Sequence, residues 1–461
     1  MKIKVVGAAG GEVTGSAYLV QTERARVLID AGMFQGGKKS EAKNRLPGIN
    51  LSKLNAVLLT HAHLDHTGRT PLLVKHGFRG RVFATAATID LAALILNDSA
   101  RLQAQDARRI NRRRAHSAQG PVEPLYGPEH VAPLRKLARA VPFREPIAVA
   151  DGITARWIEA GHMLGSASIE LTVEEQGRVR VIIFSGDLGP STLPIIREFE
   201  TLPLADVVFL ESTYGDRDHR PYSETVAEFE SLIQQGAKEG SKILVPTFAI
   251  GRSQQILYHL AVIFHRRLVK PFHNVDSPMA IEASKRMVKH PDLFSAEMLE
   301  WKDRILPLDK TWFHTSSTAR ESQSLNKVEG PCLILAGAGM CNGGRILHHF
   351  LANLWRESTR VLMVGYQGQG SLGRRLVEGA KSVSIYGEKV TMRAKVHTLN
   401  GFSAHAGQSD LLKWFCPLAA SRPRVLITHG EDTPRKSLSA VIRQRFGVLP
   451  ELPSQGDTVE I

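Results

Sequence analysis

The sequence predicts a layered α/β fold joined to a second α/β domain, on three observations. Residues 1 to 208 read as short strands separated by turn residues, with helical stretches at about 88–116 and 128–138. Hairpin-like spacing of that kind gives a layered core with much antiparallel pairing. From 209 to 385 the rhythm becomes strand–helix alternation, which builds a mainly parallel sheet. From 386 to 461 short strands return, now carrying histidines.

The elements follow in order. "KIKVVG", "SAYLVQ", "ARVLID", "NAVLLT" and "RVFAT" are β-branched runs bounded by Gly, Asp or Asn, the composition of strands. "ITARWIEA", "SIELTVE", "RVRVIIFSG" and "DVVFLEST" continue the series. "TVAEFESLIQQGAKEG" has the helical period and stops at a glycine. The strand "KILVPTF" and the helix "SQQILYHLAVIF" come next, and "CLILAGAG", "RVLMVGY" and "SVSIYG" repeat the alternation. "AKVHTLNGFSAHAG", "LLKWF" and "PRVLITHGE" close the chain, which shows no internal repeat.

Bulk properties narrow the function. With 461 residues, 43% hydrophobic and 23% charged, the chain is globular and long enough for two or three lobes. No apolar run approaches bilayer length and the start lacks a signal peptide's apolar core, so no membrane segment and a soluble cytoplasmic protein are expected. The net charge of +14 and pI near 9.8 point to a polyanionic partner. Cys332, Cys341 and Cys416 form no CxxC pair and are odd in number, which argues against a disulfide framework. A bound metal must be held by histidine and carboxylate.

Such ligands are concentrated in "LLTHAHLDHTGRTP" (58–71). Residues two apart on an extended segment point the same way, so His61 and His63 can share one metal while Asp65 and His66 turn towards a second. His162 in "IEAGHMLGSAS", Asp187 in "VIIFSGDLG" and His429 in "RVLITHGED" also follow apolar strands. Loops at one sheet edge are where sites are assembled. His162 then completes the first metal's set and His429 the second's, with Asp187 bridging. The chemistry suits two zinc ions.

"LIDAG", "THAHLDHTG", "AGHMLGSAS" and "FSGDLG" resemble, in order, the motifs of the metallo-β-lactamase fold. "FLESTYGDRDH", "GFSAHAG" and "THGE" further resemble the β-CASP nucleases, a likeness that covers essentially the whole chain. The resemblance implies an αββα sandwich (1–208 and 386–461) with an inserted, mainly parallel β-CASP domain (209–385). It implies that Asp30 orients the ligand loop from behind, that Glu211 is the family's acidic residue and His405 its "SAH" histidine. Histidine at the final position, His429, favours RNA over DNA. Relatives of this type include the cleavage-and-polyadenylation endonuclease and its prokaryotic counterparts.

"PTFAIGRSQQ", "DSPMA", "AGAGMCNGGR" and "GYQGQGSLGR" resemble loops lining that family's substrate cleft, which nominates Arg252, Ser253, Ser277, Arg345, Gly368 and Arg374 for substrate binding. Glycine- and hydroxyl-rich turns with arginines suit phosphates. Gly368, Gly370 and Gly373 also fit a dinucleotide fingerprint, but the nuclease motifs account for this stretch. "RRINRRRAH" (108–116) is the densest basic run, more simply a solvated helix face than an RNA track. For His348 and His349 packing is the expectation rather than chemistry.

The expected reaction is zinc-dependent hydrolysis of RNA phosphodiester bonds in RNA processing or degradation. A hydroxide shared by two metals attacks in line, Asp65 assists, and His405, held protonated by Glu211, is general acid. The site is expected in a groove between the domains, which favours single-stranded RNA. A chain beginning near its first core strand and ending soon after its last leans towards endonuclease, with 5′-exonuclease activity and a homodimer both compatible. Rival readings are a glyoxalase II-like hydrolase, which leaves the inserted domain, Glu211 and His405 unused, and a catalytically silent RNA-binding scaffold.

Overall fold

In the computed structural model, which describes residues 1–35, 38–45, 48–114, 120–270, 272–305, 313–368 and 370–461, the apolar runs of the first part pair into two sheets. The last two residues of the basic run, 115 and 116, lie outside the described residues. A seven-stranded sheet is ordered Thr458–Glu460, Lys2–Gly7, Ala17–Gln21, Arg26–Ile29, Ala56–Leu58, Arg81–Thr85, Ala138–Val141. Its pairing is antiparallel as far as Arg26–Ile29 and parallel beyond. A six-stranded sheet is ordered Arg424–Ile427, Val207–Leu210, Arg178–Phe184, Ala167–Glu175, Ile153–Glu159, Ile147–Ala150. There the first three strands are parallel and the rest antiparallel.

Side-chain alternation stacks these sheets. Val27, Ile29 and Leu58 of one meet Trp157, Ile169, Ile182, Phe184 and Phe209 of the other in a shared core. The alternate residues Ile158, Ile183, Val208, Leu210, Val425 and Ile427 face outward, against Leu411, Trp414 and Phe415 of helix Gln408–Phe415 and Leu438 and Ile442 of helix Asp432–Phe446. A strand buried on both faces needs apolar residues at every position, which is why "VIIF" and "VVFL" show no alternation. Helix Ala86–Arg114 lies against Arg81–Thr85 and Ala138–Val141 on the far side of the first sheet. The unit is therefore an αββα sandwich.

The other unit holds a wholly parallel sheet, ordered His314–Thr315, His273–Val275, Cys332–Ala336, Lys242–Pro246, Thr359–Met363, Lys395–Thr398. Parallel strands need crossovers, and the helices Arg252–His265, Pro278–Met287 and Ile346–Asn353 follow strands along the chain as the alternation predicts. The hairpin Ser382–Ile385 with Glu388–Thr391 turns at Tyr386 and Gly387, both at positive φ (54° and 91°), as the commonest two-residue hairpin turn requires.

The two compact units comprise Met1–Ser191, Glu198–Asp218 and His405–Ile461, and Thr192–Arg197 with His219–Ala404. Their limits differ from the expected 208/209 and 385/386. The strand Lys395–Thr398, which the returning short-strand rhythm assigns to the sandwich, instead pairs with Thr359–Met363 in the parallel sheet. Residues 192–197 also leave the sandwich: Ile196 bridges to Phe294, and Ser295 N donates to Ile195 O at 3.0 Å. Neither excursion has a local sequence signal, because strand partners are chosen by tertiary packing.

Candidate metal centre

The residues expected at the site cluster beyond the carboxyl ends of sandwich strands, with His63, Asp65 and His66 carried by the turn and short helix Leu64–Thr67 after His61. Asp30 follows Arg26–Ile29, His61 follows Ala56–Leu58, and His162 follows Ile153–Glu159. Asp187, Glu211 and His429 follow Arg178–Phe184, Val207–Leu210 and Arg424–Ile427. In sheets with parallel strands this edge is where loops converge on a ligand. The chain turns off sharply there: Asp30 and His429 have φ of 56° and 50°, a region costly for residues with a Cβ and found where a site over-determines the backbone. Close loop packing demands glycine. A Cβ on Gly32 would lie 1.5 Å from Asp65 O, and one on Gly189 would lie 1.7 Å from Gly161 O.

Asp187 organises the cluster. Its Oδ2 lies 3.6 Å from His61 Nε2 and 3.7 Å from His162 Nε2, while Oδ1 lies 3.3 Å from His66 Nε2 and 3.5 Å from His429 Nε2. His63 Nδ1 closes the first set, 3.2 Å from His61 Nε2 and 3.1 Å from His162 Nε2. In the second set His66 Nε2 and His429 Nε2 are 3.2 Å apart, and Asp65 Oδ2 is 3.7 Å from His429 Nε2. His61, His63, His162 and Asp187 thus form one group of converging donors, and Asp65, His66 and His429 another.

The donors fit divalent cations. Tetrahedral coordination at metal–nitrogen distances of about 2.0–2.1 Å sets ligand atoms about 3.3 Å apart, which is the spacing between the imidazole nitrogens. Lone pairs converging this closely repel without a cation between them. Asp187 Oδ1 is also buried with no hydrogen-bond partner among the described residues, a position that a cation satisfies. Protonation at His61, His63, Asp65 and Asp187 agrees with ligation, which needs neutral imidazole and ionised carboxylate. Burial drives His61 well below its usual range, helped by the neighbouring imidazoles, and drives His63 down to about 4. Asp65 and Asp187 are held low, to about 2 for Asp65, because the surrounding histidines outweigh burial. His66 is the exception and is raised: burial opposes its charge, but Asp187 and Asp30 outweigh it, so a cation binding there must displace its proton.

Asp30 lies behind the histidine run. It accepts from His66 Nδ1 at 2.7 Å and from Thr60 N and Oγ1 at 2.8 Å. With Nδ1 so engaged, His66 turns its Nε2 lone pair to the second set. Thr60 also meets His61 Nδ1 at 3.1 Å, and Thr213 Oγ1 meets His429 Nδ1 at 3.3 Å. Sequence reasoning missed both threonines. Thr60 had one faint signal, its place directly before the histidine run.

Glu211 is buried and held by Leu188 N (2.9 Å) and Thr213 N (3.0 Å). Its Oε1 faces His405 Nδ1 at 3.4 Å, and Asp187 Oδ2 lies 4.0 Å from the same nitrogen. Burial works against charge on His405, but Glu211, Asp187 and Asp65 together raise it to about 9. His405 is the more accessible member, its side chain 21% exposed.

The proposed substrate residues lie in the other unit, and each has local partners. Ser253 Oγ meets Thr247 Oγ1 and Phe248 O at 2.9 and 2.8 Å. Ser277 caps helix Pro278–Met287 by accepting from Ala280 N at 3.2 Å. Arg252 is buried and bonded to Gln255, and Arg374 pairs with Glu378 at 2.7 Å. Arg345 is engaged by Asp276 Oδ1 at 2.6 Å and by the carbonyls of Ser316 and Ser317 at 2.8 Å. Asp276 also holds His349 Nε2 at 2.7 Å, a buried tie that spacing alone did not reveal. Gly368 lies in the loop before Leu372–Val377, a helix of six residues.

The Metallo-beta-lactamase superfamily matches residues 10–80, the Beta-Casp domain 253–376, and the Zn-dependent metallo-hydrolase RNA specificity domain 389–453. The chain is similar to Ribonuclease TTHA0252 of Thermus thermophilus, with 40% identity over 96% of each chain. It is also similar to transcription termination factor FttA of Cenarchaeum symbiosum, at 30% identity over 98% of this chain and 70% of that one, and of Pyrococcus abyssi, at 27% over 100% and 71%. A crystal structure of a protein of unknown function from Enterococcus faecalis shares the fold, with a TM-score of 0.55, 12% identity, and 100% of this chain and 99% of that one covered.

Proposed function

This chain belongs to the β-CASP family of metallo-β-lactamase-fold, metal-dependent ribonucleases, and from that premise we propose that it cuts single-stranded RNA internally, using two zinc ions and His405 as the proton donor. The observation that carries the reading is the division of Asp187, one carboxylate oxygen towards each histidine group. One carboxylate facing two donor sets supports a two-ion centre. His61, His63 and His162 would hold one ion, Asp65, His66 and His429 the other, and Asp187 both.

When bound, the ions supply an activated water at neutral pH and neutralise charge on the phosphate. Asp65 accepts a hydrogen bond from the attacking water and orients it opposite the leaving 3′ oxygen. His405 gives its proton to that oxygen as the P–O bond breaks, so products carry a 5′-phosphate and a 3′-hydroxyl. Glu211 keeps the imidazole protonated between turnovers and fixes its ring. Asp65 and His405 side chains are only 19% and 21% exposed. A phosphodiester must be fed in to reach them, which a flexible single strand does more readily than a duplex. Arg252, Ser253, Ser277, Arg345, Gly368 and Arg374 are proposed for the substrate loops on family resemblance, through backbone N–H groups and charge.

The rival readings lose their ground. A thioesterase leaves the matched β-CASP residues 253–376 without a task, and a silent scaffold would not retain a complete donor set with its supports. The test is an RNA labelled at either end, beside DNA of the same sequence, digested with and without a chelator. Internal RNA fragments that vanish with chelator and return with zinc are expected. Equal cutting of DNA, or cutting indifferent to chelator, overturns the reading.

A further inference from the structure

Phe248 spends apolar surface on solvent in a place where that is unusual. It follows Lys242–Pro246, a central strand of the parallel sheet, and is 39% exposed. Single exposed apolar side chains are common, so exposure alone means little. What surrounds this ring is more specific. A Cβ on Gly339 would lie 2.6 Å from Phe248 Cδ2, and one on Gly365 would lie 3.9 Å from Cε2. The ring therefore rests on bare backbone from the loops following Cys332–Ala336 and Thr359–Met363, the two strands that flank its own. Three neighbouring strands thus contribute to one surface at the carboxyl edge of the sheet, where ligands of parallel sheets bind.

The floor is tied together. The buried Gln367 side chain donates to Gly339 O at 2.9 Å and to Gly365 O at 3.2 Å. Ser253, the second residue of helix Arg252–His265, donates from N and Oγ to Phe248 O at 3.2 and 2.8 Å. An aromatic ring with its backbone anchored from below and glycines beneath it loses little freedom when a flat partner covers the open face. In the same two loops Met340 and Tyr366, both half-buried, come within 3.5 and 3.7 Å of where a Gly368 Cβ would be.

We infer that Phe248 is a stacking platform for one base of the RNA substrate. The inference rests on the ribonuclease reading and adds a contact that every base can make, because each has a π face. It predicts binding without sequence preference at that position.

The experiment moves a single abasic nucleotide through a single-stranded RNA cut by the wild type, Phe248→Leu and Phe248→Tyr. For the wild type, one position should raise KM about tenfold when its base is removed, as loss of one stacked base implies. Phe248→Leu keeps apolar bulk without a π face. It should show that KM on intact RNA and lose no more at that position, while Phe248→Tyr keeps the wild-type profile. Identical abasic profiles for wild type and Phe248→Leu overturn the platform while leaving the ribonuclease reading intact. A wild type that cuts none of the RNAs overturns both.

Discussion

At the scale of single residues, His405 is where metal binding and proton donation can be told apart, since it also groups with Asp187 and Glu211 as a candidate donor set. It faces Glu211 and Asp187 but belongs to neither of the histidine groups divided by Asp187. His405→Ala should therefore lower turnover by about 100- to 10,000-fold, the usual worth of a general acid, while elemental analysis finds wild-type metal content. Full activity, or loss of metal, would refute the acid role. His66 and Asp30 make the opposite case, where a residue acts on metal through another. His66 needs its Nδ1 held at 2.7 Å by Asp30 to aim Nε2. The density of potential donors in residues 61–66 was legible in the sequence because consecutive residues keep their spacing in any fold. Thr60 and Thr213 were not, since a threonine beside a ligand has no signature until the ring it supports is located.

At the scale of elements, the loops beyond the strand ends carry the precision. Gly189 sits where the Asp187 loop meets the His162 loop, its missing Cβ leaving room for Gly161 O. Gly189→Ala must push those loops apart and should cost about 1–3 kcal/mol of stability, read from urea midpoints, with weaker zinc retention as the diagnostic companion. Unchanged stability and metal affinity would mean that the loops are not held in register there. In the parallel-sheet unit, His259 on helix Arg252–His265 is buried among Tyr222, Tyr258, Phe229 and Phe402, and burial followed by Arg252 lowers it to about 3. The depressed value fixes the sign. Unfolded His259 takes up a proton below its ordinary 6.5, so the stability it contributes is present above that pH and is lost progressively as pH falls towards 3. Compared with His259→Gln, the wild type should lose more stability between pH 7.5 and pH 5 in urea titrations. Parallel pH profiles for the two proteins would refute this assignment.

At the scale of the whole molecule, the proposed metal centre would couple metal to fold. The candidate donors come from residues 61 to 429 and converge only in the folded sandwich, so ions bound there would stabilise the native state by mass action. At a hundredfold excess over Kd one site contributes about 2.7 kcal/mol, which corresponds to roughly 5–10 °C in Tm for a unit of this size. Chelation should lower the melting temperature by that order and zinc should restore it. A Tm indifferent to chelator would show that the cluster holds no ion in the folded protein. No described helix is long and apolar enough to cross a membrane, in keeping with the composition.

The sequence by itself determined the family, the candidate ligand positions and the type of each layer. Ligand spacing in 61–66, strand-end positions for His162, Asp187 and His429, and the switch to strand–helix alternation are local patterns, and local patterns survive folding. Tertiary structure alone decided which oxygen of Asp187 faces which histidines, that Lys395–Thr398 joins the parallel sheet, and that Phe248 lies open on glycines from neighbouring loops. Those facts depend on contacts between segments far apart in the chain. No window of sequence encodes such a contact, because its energy exists only once both partners have arrived.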